Sequence, residues 1–179
     1  MTIYVALLYS IVLGPGRRVV MADLKAMATA LDLREPRTVA ATGNLVFSAR
    51  RTPPAKLEAR LEAAFAGTFG RHVDFVVRSA ADWRRLVASN PFPRESETDP
   101  SHVIAQVSRA PATEAQVEAL CPYAVEGEQV VVAAGTLWLY FPHGIARSKL
   151  AAAITPRRVG IGTARNWNTV RRLVEKLDG

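Results

Sequence analysis

A chain of 179 residues can bury roughly 70% of its unfolded surface, so it needs neither a disulfide nor a metal to hold a core. Hydrophobic residues make up 49% of it and charged residues 22%, which excludes the composition of a disordered segment. The formal net charge of +7 favours anionic partners, yet the surplus lies in scattered pairs (Arg17-Arg18, Arg50-Arg51, Arg84-Arg85, Arg157-Arg158, Arg171-Arg172). No run of five or six basic residues occurs, which excludes a basic tail.

Taken in chain order, Thr2 to Leu8 is rich in Ile, Tyr, Val and Leu, as a fully buried strand is. The apolar stretch Ile3 to Leu13 has no Lys or Arg ahead of it and runs into Gly14-Pro15-Gly16-Arg17-Arg18. It reads as a buried strand rather than a signal peptide, and it is too short to span a bilayer. Leu24, Met27, Ala28 and Leu31 recur at helical spacing and predict a helix over 21–31. Strands are expected over 37–42 and 45–48, joined in a hairpin at Gly43-Asn44, because both residues tolerate positive φ. Pro53-Pro54 opens a helix with Leu57, Leu61, Ala64 and Phe65 inward, and 72–77 reads as a strand. Ser79 can cap the next helix, which Asn90-Pro91-Phe92-Pro93 ends.

The polar stretch that follows lacks apolar periodicity and reads as a linker over 91–101. The element order then repeats: strand 102–107, helix 113–120, a hairpin of 129–133 and 137–141 about Gly135, helix 145–154, strand 160–164 and helix 168–177. Gly43 and Gly135 lie about half the chain apart, within hairpins of similar composition. The expected fold is therefore α+β: two ferredoxin-like β-α-β-β-α-β halves from a duplication, with additional helices after each half. Residues 3–90 form the first subdomain with its connecting helix, and 102–177 the second with a C-terminal helix. The single cysteine, Cys121, cannot pair within the chain. It fits a reducing, cytoplasmic compartment and is expected to be buried or half-buried rather than nucleophilic.

Few motifs carry chemistry. Gly160-Ile161-Gly162-Thr163-Ala164-Arg165 begins like a dinucleotide-binding turn but has arginine where the third glycine belongs. Gly14-Pro15-Gly16 lacks the Gly-Lys-Ser/Thr of a phosphate-binding loop. His72, His102, His143 and Cys121 have no metal-ligand spacing. No cofactor or metal is implied.

Two segments are richer. Gly144-Ile145-Ala146-Arg147-Ser148-Lys149 stands where a strand gives way to a helix. Either the free N–H groups there, with Arg147, Ser148 and Lys149, hold a phosphate or carboxylate, or the segment is a well-made helix start facing water. Thr163-Ala164-Arg165-Asn166-Trp167-Asn168-Thr169 gathers a guanidinium, two amides and an indole. Asn166 or Asn168 can cap the last helix, which leaves Arg165 and the other amide over.

Tyr4-Val-Ala-Leu-Leu8, Met21-Ala-Asp-Leu24, Gly43-Asn44-Leu-Val-Phe47, Val77-Arg-Ser79, Asn90-Pro-Phe-Pro93, Gly144-Ile-Ala-Arg-Ser-Lys-Leu150 and Thr163-Ala-Arg-Asn-Trp-Asn-Thr169 occur in this order. With them the chain, over about residues 3–177, resembles the bacterial family known as domain of unknown function 1697. The resemblance implies a duplicated ferredoxin-type α/β structure and carries no activity with it. The family's first strand usually continues Leu-Leu-Arg-Gly-Ile-Asn-Val-Gly-Gly. Here Tyr9, Ser10 and Val12 stand in place of the arginine, glycine and asparagine, the mark of a divergent member with fewer polar groups in that loop.

Three functions compete. The first is a binding module for an anionic small molecule or nucleic acid, using Asn44, Arg147, Ser148, Lys149, Arg165, Asn166 and Asn168. The second is a protein-interaction or structural module in which the same motifs serve caps and packing. The third is an enzyme using the Arg165/Lys149 polar cluster. No membrane partner is expected, and the sequence does not disclose an oligomeric state.

Overall fold

The computed structural model of the protein describes residues 1–178, among which ten strands and eight helices are found. The fold is mixed α/β with antiparallel sheets. Two compact units divide the chain: Met1–Arg84 with the stretch from Arg172, and Arg85–Arg171.

In the first unit the elements run β1 (Thr2–Leu8), β2 (Val12–Gly14), β3 (Arg17–Arg18), α1 (Met21–Ala30), β4 (Arg34–Thr38), β5 (Asn44–Ala49), α2 (Pro54–Phe69) and β6 (Phe75–Ser79). The sheet order is β4-β5-β1-β6. Tyr4, Ala6 and Leu8 of β1, with Leu45, Phe47, Phe75 and Val77, pack against Leu24 and Met27 of α1 and Leu57, Leu61 and Phe65 of α2. Val5 and Leu7 project from the opposite face of β1 and are buried as well, so the run carries no polar alternation. Full burial of one such leucine or phenylalanine contributes about 1.5–3 kcal/mol. Helix α2 starts with proline at its first position and stops at Gly70, whose φ of 71° is left-handed. This is the usual asymmetry of helix ends.

The chain continues through α3 (Ala80–Ala88) and α4 (Pro93–Thr98). Then follow β7 (Val103–Ser108), α5 (Glu114–Leu120), a 3-10 turn (Cys121–Tyr123), β8 (Gln129–Ala133), β9 (Thr136–Tyr140), α6 (Lys149–Ala153), α7 (Pro156–Val159), β10 (Gly162–Asn166) and α8 (Trp167–Glu175). The second sheet has the order β10-β7-β9-β8. Reading strands by their succession around the helices, this is the order of the first sheet. Ile104, Val130, Leu137 and Leu139 form one face and pack against Leu120, Leu150, Ala153 and Val159.

Several expectations are met closely. β1 occupies the predicted residues, Ser79 caps α3 by accepting from the Asp82 N–H at 3.2 Å, and Ala134-Gly135 turns β8 into β9 with φ of 46° and 71°. The first hairpin differs. Its strands end at Thr38 and begin at Asn44, with Thr38 opposite Leu45, so the connection is a five-residue loop and Asn44 belongs to the strand. Positive φ at Glu35 (50°) accompanies a register shift between Arg34 and Arg37, which starts the strand earlier than the composition suggests. The helix expected over 145–154 is shorter, because Ser148 caps it, its hydroxyl accepting from the Ala151 N–H at 3.0 Å; residues before Ser148 form turns. The fourth strands lie later than expected, at 75–79 and 162–166, and the stretch 91–101 contains α4. The β2–β3 hairpin was not expected. Cys121 is exposed, not buried: it begins the 3-10 turn that closes α5, outside the hydrophobic cluster.

Candidate functional site

Strand register decides which face each residue takes. Across the first sheet one row reads Arg37, Val46, Val5, Arg78. Across the second the corresponding row reads Val131, Trp138, Ala105, Arg165. This second row lies on the face opposite Ile104 and Leu139, the face on which Leu150 of α6 packs. Arg165 and α6 are thus on opposite sides of one sheet. The convergence of Arg165 with residues 147–149 that a single hollow requires does not occur, because strand parity places the guanidinium on the other face.

The Arg165 guanidinium is buried, 8% exposed, and donates through Nη1 to Thr163 Oγ1 at 2.7 Å and to the Ala164 carbonyl at 2.8 Å. Burial pushes its pKa down to about 10; it remains a cation at neutral pH, at the cost of desolvation. Asn166 caps α8, its Oδ1 accepting from the Thr169 N–H at 3.0 Å. Asn168, in the first turn of α8, is half-buried. Asn44 is wholly buried; its amide donates to the Val39 carbonyl and Thr42 Oγ1, both at 2.8 Å. Those bonds close the hairpin loop. At the loop's end Gly43 has φ of 76°, and a Cβ there would meet Ile11 at 2.8 Å, so only glycine fits.

Arg147 and Lys149 are exposed on either side of Ser148, and neither has an ion pair among the described residues. Their segment starts beside an imidazole. His102 Nδ1 lies 2.5 Å from Asp99 Oδ2, and a Cβ on Gly144 would sit 3.5 Å from His102 Nε2. Asp99 therefore orients the ring so that its other nitrogen faces the start of the 144–149 segment. Metal-ligand spacing gave no hint of this pair, since its significance lies in a turn of the fold.

Gly160-Ile161-Gly162 has a structural explanation. Gly160 ends α7 with φ of 77°. A Cβ on Gly162 would come within 2.7 Å of backbone atoms of Val107 and Ser108, so glycine there lets β10 approach β7.

Asn90-Pro91-Phe92-Pro93 is likewise a turn. The Asn90 amide donates to Ser96 Oγ at 2.7 Å, and its carbonyl accepts from the Phe92 N–H at 2.9 Å. Asn90, Pro93, Ser96 and Trp167 share a hollow of about 600 Å³, so two separated motifs do meet within the second unit.

One feature of the fold escaped sequence reasoning. Arg78 in the first unit mirrors Arg165: each is the last residue but one of the outer strand beside the central one, both have pKa lowered chiefly by burial, and each precedes the residue that caps the next helix. The available signal was Val77-Arg78-Ser79 set beside Ala164-Arg165-Asn166.

These features define a mixed α/β protein whose prominent polar residues are largely spent on caps, turns and strand edges, leaving a small set of cations open to water. The chain belongs to the family described as protein of unknown function DUF1697, whose model matches residues 1–138. That match stops short of the motifs at 144–150 and 163–169. No curated protein matches the chain. Among solved structures, a conserved bacterial protein from Streptococcus pneumoniae is similar, with a TM-score of 0.74, 21% identity and coverage of 98% of each chain; the likeness is one of fold. Among the described residues no helix is long and apolar enough to cross a membrane.

Proposed function

We propose that the protein is a cytoplasmic binding module for an anionic or phosphate-bearing ligand, built from two ferredoxin-like units that arose by duplication. The duplication is supported by the shared strand order and by the matched Arg78 and Arg165, each followed by a capping residue and a helix. The repeats are residues 3–90 and 102–177, with 91–101 between them.

The observation that carries the binding reading is the open pair Arg147 and Lys149. Two cations flank Ser148 with no carboxylate neutralising them, and the His102 ring nitrogen stands by the same segment. Such groups bind phosphate or carboxylate oxygens by charge-assisted hydrogen bonds. Asn44, Ser148, Arg165 and Asn166 have polar atoms already engaged in a hairpin loop, a strand and two helix caps, so the ligand reading rests on Arg147 and Lys149. A small anion is favoured over nucleic acid. Of the strand aromatics, Tyr4, Phe47, Phe75 and Trp138 are buried and Tyr140, half-buried, packs against Phe92, whereas strand aromatics must be exposed to stack bases. An enzyme built on Arg165 with Lys149 is disfavoured because they belong to opposite sides of the sheet.

A thermal-shift screen of phosphates, nucleotides and carboxylates tests the reading. Stabilisation of the wild type that is lost in Arg147→Ala with Lys149→Ala supports it. Steep loss of binding with salt and a preference for polynucleotide would favour nucleic acid instead. Absence of any shift, with a partner protein captured, would favour the interaction module.

A further inference from the structure

A second basic feature lies in the first unit, among residues that no motif singles out. Where the end of α1, the start of β4, the end of β5 and α2 meet, a hollow of about 650 Å³ is lined by Thr29, Asp32, Arg34, Arg50, Thr52 and Arg60, among others. That volume falls in the range of small-molecule sites. We propose that this hollow binds a phosphate-bearing small molecule with more than one anionic group, through the guanidinium groups of Arg34, Arg50 and Arg60.

The three arginines come from β4, the loop that follows β5, and α2, so the fold, not sequence proximity, assembles them. Each is exposed, and none has an ion pair among the described residues. Arg60 is held in place, because Nη2 donates to the Leu31 carbonyl at 2.9 Å at the end of α1. A guanidinium has five N–H donors, and the rest of this one is open to the hollow. The loop carrying Arg50 is fixed as well. Thr52 Oγ1 donates to the Arg50 carbonyl at 2.8 Å, the Thr52 N–H donates to Tyr4 Oη at 2.9 Å, and Tyr4 Oη donates to the Thr52 carbonyl at 2.8 Å. Arg34 is set by pairing opposite Ser48. Guanidinium forks suit the oxygens of phosphate bidentately, and three of them carried on fixed backbone around one space exceed what a single phosphate can occupy.

Asp32 is the one carboxylate among the lining residues. It has φ of 56° and ends α1 in the left-handed conformation, with the Leu33 N–H donating to the Ala28 carbonyl at 3.2 Å and the Asp32 N–H to Thr29 at 3.0 Å. Asparagine adopts this conformation readily, so Asp32→Asn removes a negative charge from the hollow without disturbing the helix end.

The inference rests on the anion-binding reading and adds a site to it. Titration calorimetry at low ionic strength, with inorganic phosphate, inorganic pyrophosphate and a nucleoside diphosphate, tests it. Pyrophosphate or the diphosphate should bind more tightly than phosphate. Arg34→Ala and Arg50→Gln should each weaken binding by about tenfold or more, while Asp32→Asn strengthens it. Thermal unfolding of each variant checks that it is folded; both arginines are exposed, so either variant alone suffices. Binding that survives both arginine substitutions but disappears in Arg147→Ala with Lys149→Ala overturns this inference and leaves the general reading standing. Failure of the wild type to bind any of the three probes overturns the inference and counts against the reading as well.

Discussion

Arg78 and Arg165 hold matching places in their two sheets, and each turns Nη1 back on the carbonyl of the residue before it, Val77 at 2.9 Å and Ala164 at 2.8 Å. Each guanidinium is drawn down onto its own strand and away from water. For Arg165 burial is the cause of the lowered pKa; for Arg78 burial outweighs the opposing field of Glu58 and Asp82.

The sign of the pH effect at Arg165 follows from linkage. With the folded pKa lowered to about 10 from the ordinary arginine value, the unfolded chain binds more protons above about pH 10, so stability from this group rises with pH across the window from there up to the ordinary value. Below it the desolvation penalty, roughly 3 kcal/mol, is present in full. Arg165→Met should therefore be as stable as the wild type or more so at neutral pH, and its advantage should shrink above pH 10. Urea unfolding of both proteins at the two pH values checks this; an advantage independent of pH would contradict it.

Glu58 of α2 accepts from the Val77 N–H at 2.9 Å, and Glu62, one turn on, from the Phe75 N–H at 3.0 Å. Helix carboxylates thus satisfy the outer edge of β6, which would otherwise present open donors. Glu58→Leu should cost about 1–3 kcal/mol by orphaning a buried N–H, and Glu58→Gln, which keeps an acceptor, should cost less. Hydrogen exchange at the Val77 amide should accelerate in the leucine variant first.

Gly162→Ala should destabilise the protein by about 1–3 kcal/mol. Its new methyl meets Ser108 Oγ and also backbone atoms of Val107 and Ser108 in β7, which cannot swing aside as a side chain can. Gly67→Ala, with nothing within 4 Å of the new Cβ and a helical position in α2, should instead stabilise by up to about 1 kcal/mol. Opposite shifts in melting temperature for the two substitutions are the expected result.

Asn44→Asp should be more damaging than Asn44→Ala. Alanine leaves the Val39 carbonyl without its donor, at about 1–3 kcal/mol. Aspartate also sets a buried acceptor against an acceptor, and if ionised leaves an uncompensated charge, at roughly 3–5 kcal/mol. Denaturant midpoints of the two variants decide the order.

The strand and helix order could be read in advance wherever local chemistry and packing agree. Ala134-Gly135 is a turn by conformation alone, and Leu57, Leu61 and Phe65 mark the buried stripe of α2. Asn44 misled because a residue suited to a turn was taken into the strand by its own side-chain bonds across the loop. Ile145 continued the apolar pattern of Leu150 and Ile154, yet it is 55% exposed, and the hydroxyl of Ser148 starts the helix instead. For the site the obstacle was register. Whether Arg165 faces the same side as Leu139 depends on its pairing with Ala105, a long-range fact with no local trace. Arg34, Arg50 and Arg60 likewise become neighbours only after β4, β5 and α2 have packed.

Cys121 stands in water at the end of α5 and is the chain's single cysteine. A maleimide dye would therefore attach at one defined point of the second unit and leave Arg34 and Arg50 unmodified, because it adds to a thiolate and not to a guanidinium. The same thiol, left without reductant, would join two chains through a covalent bridge. A dimer band that vanishes with dithiothreitol would then report storage chemistry at this position and not an assembly designed into the fold.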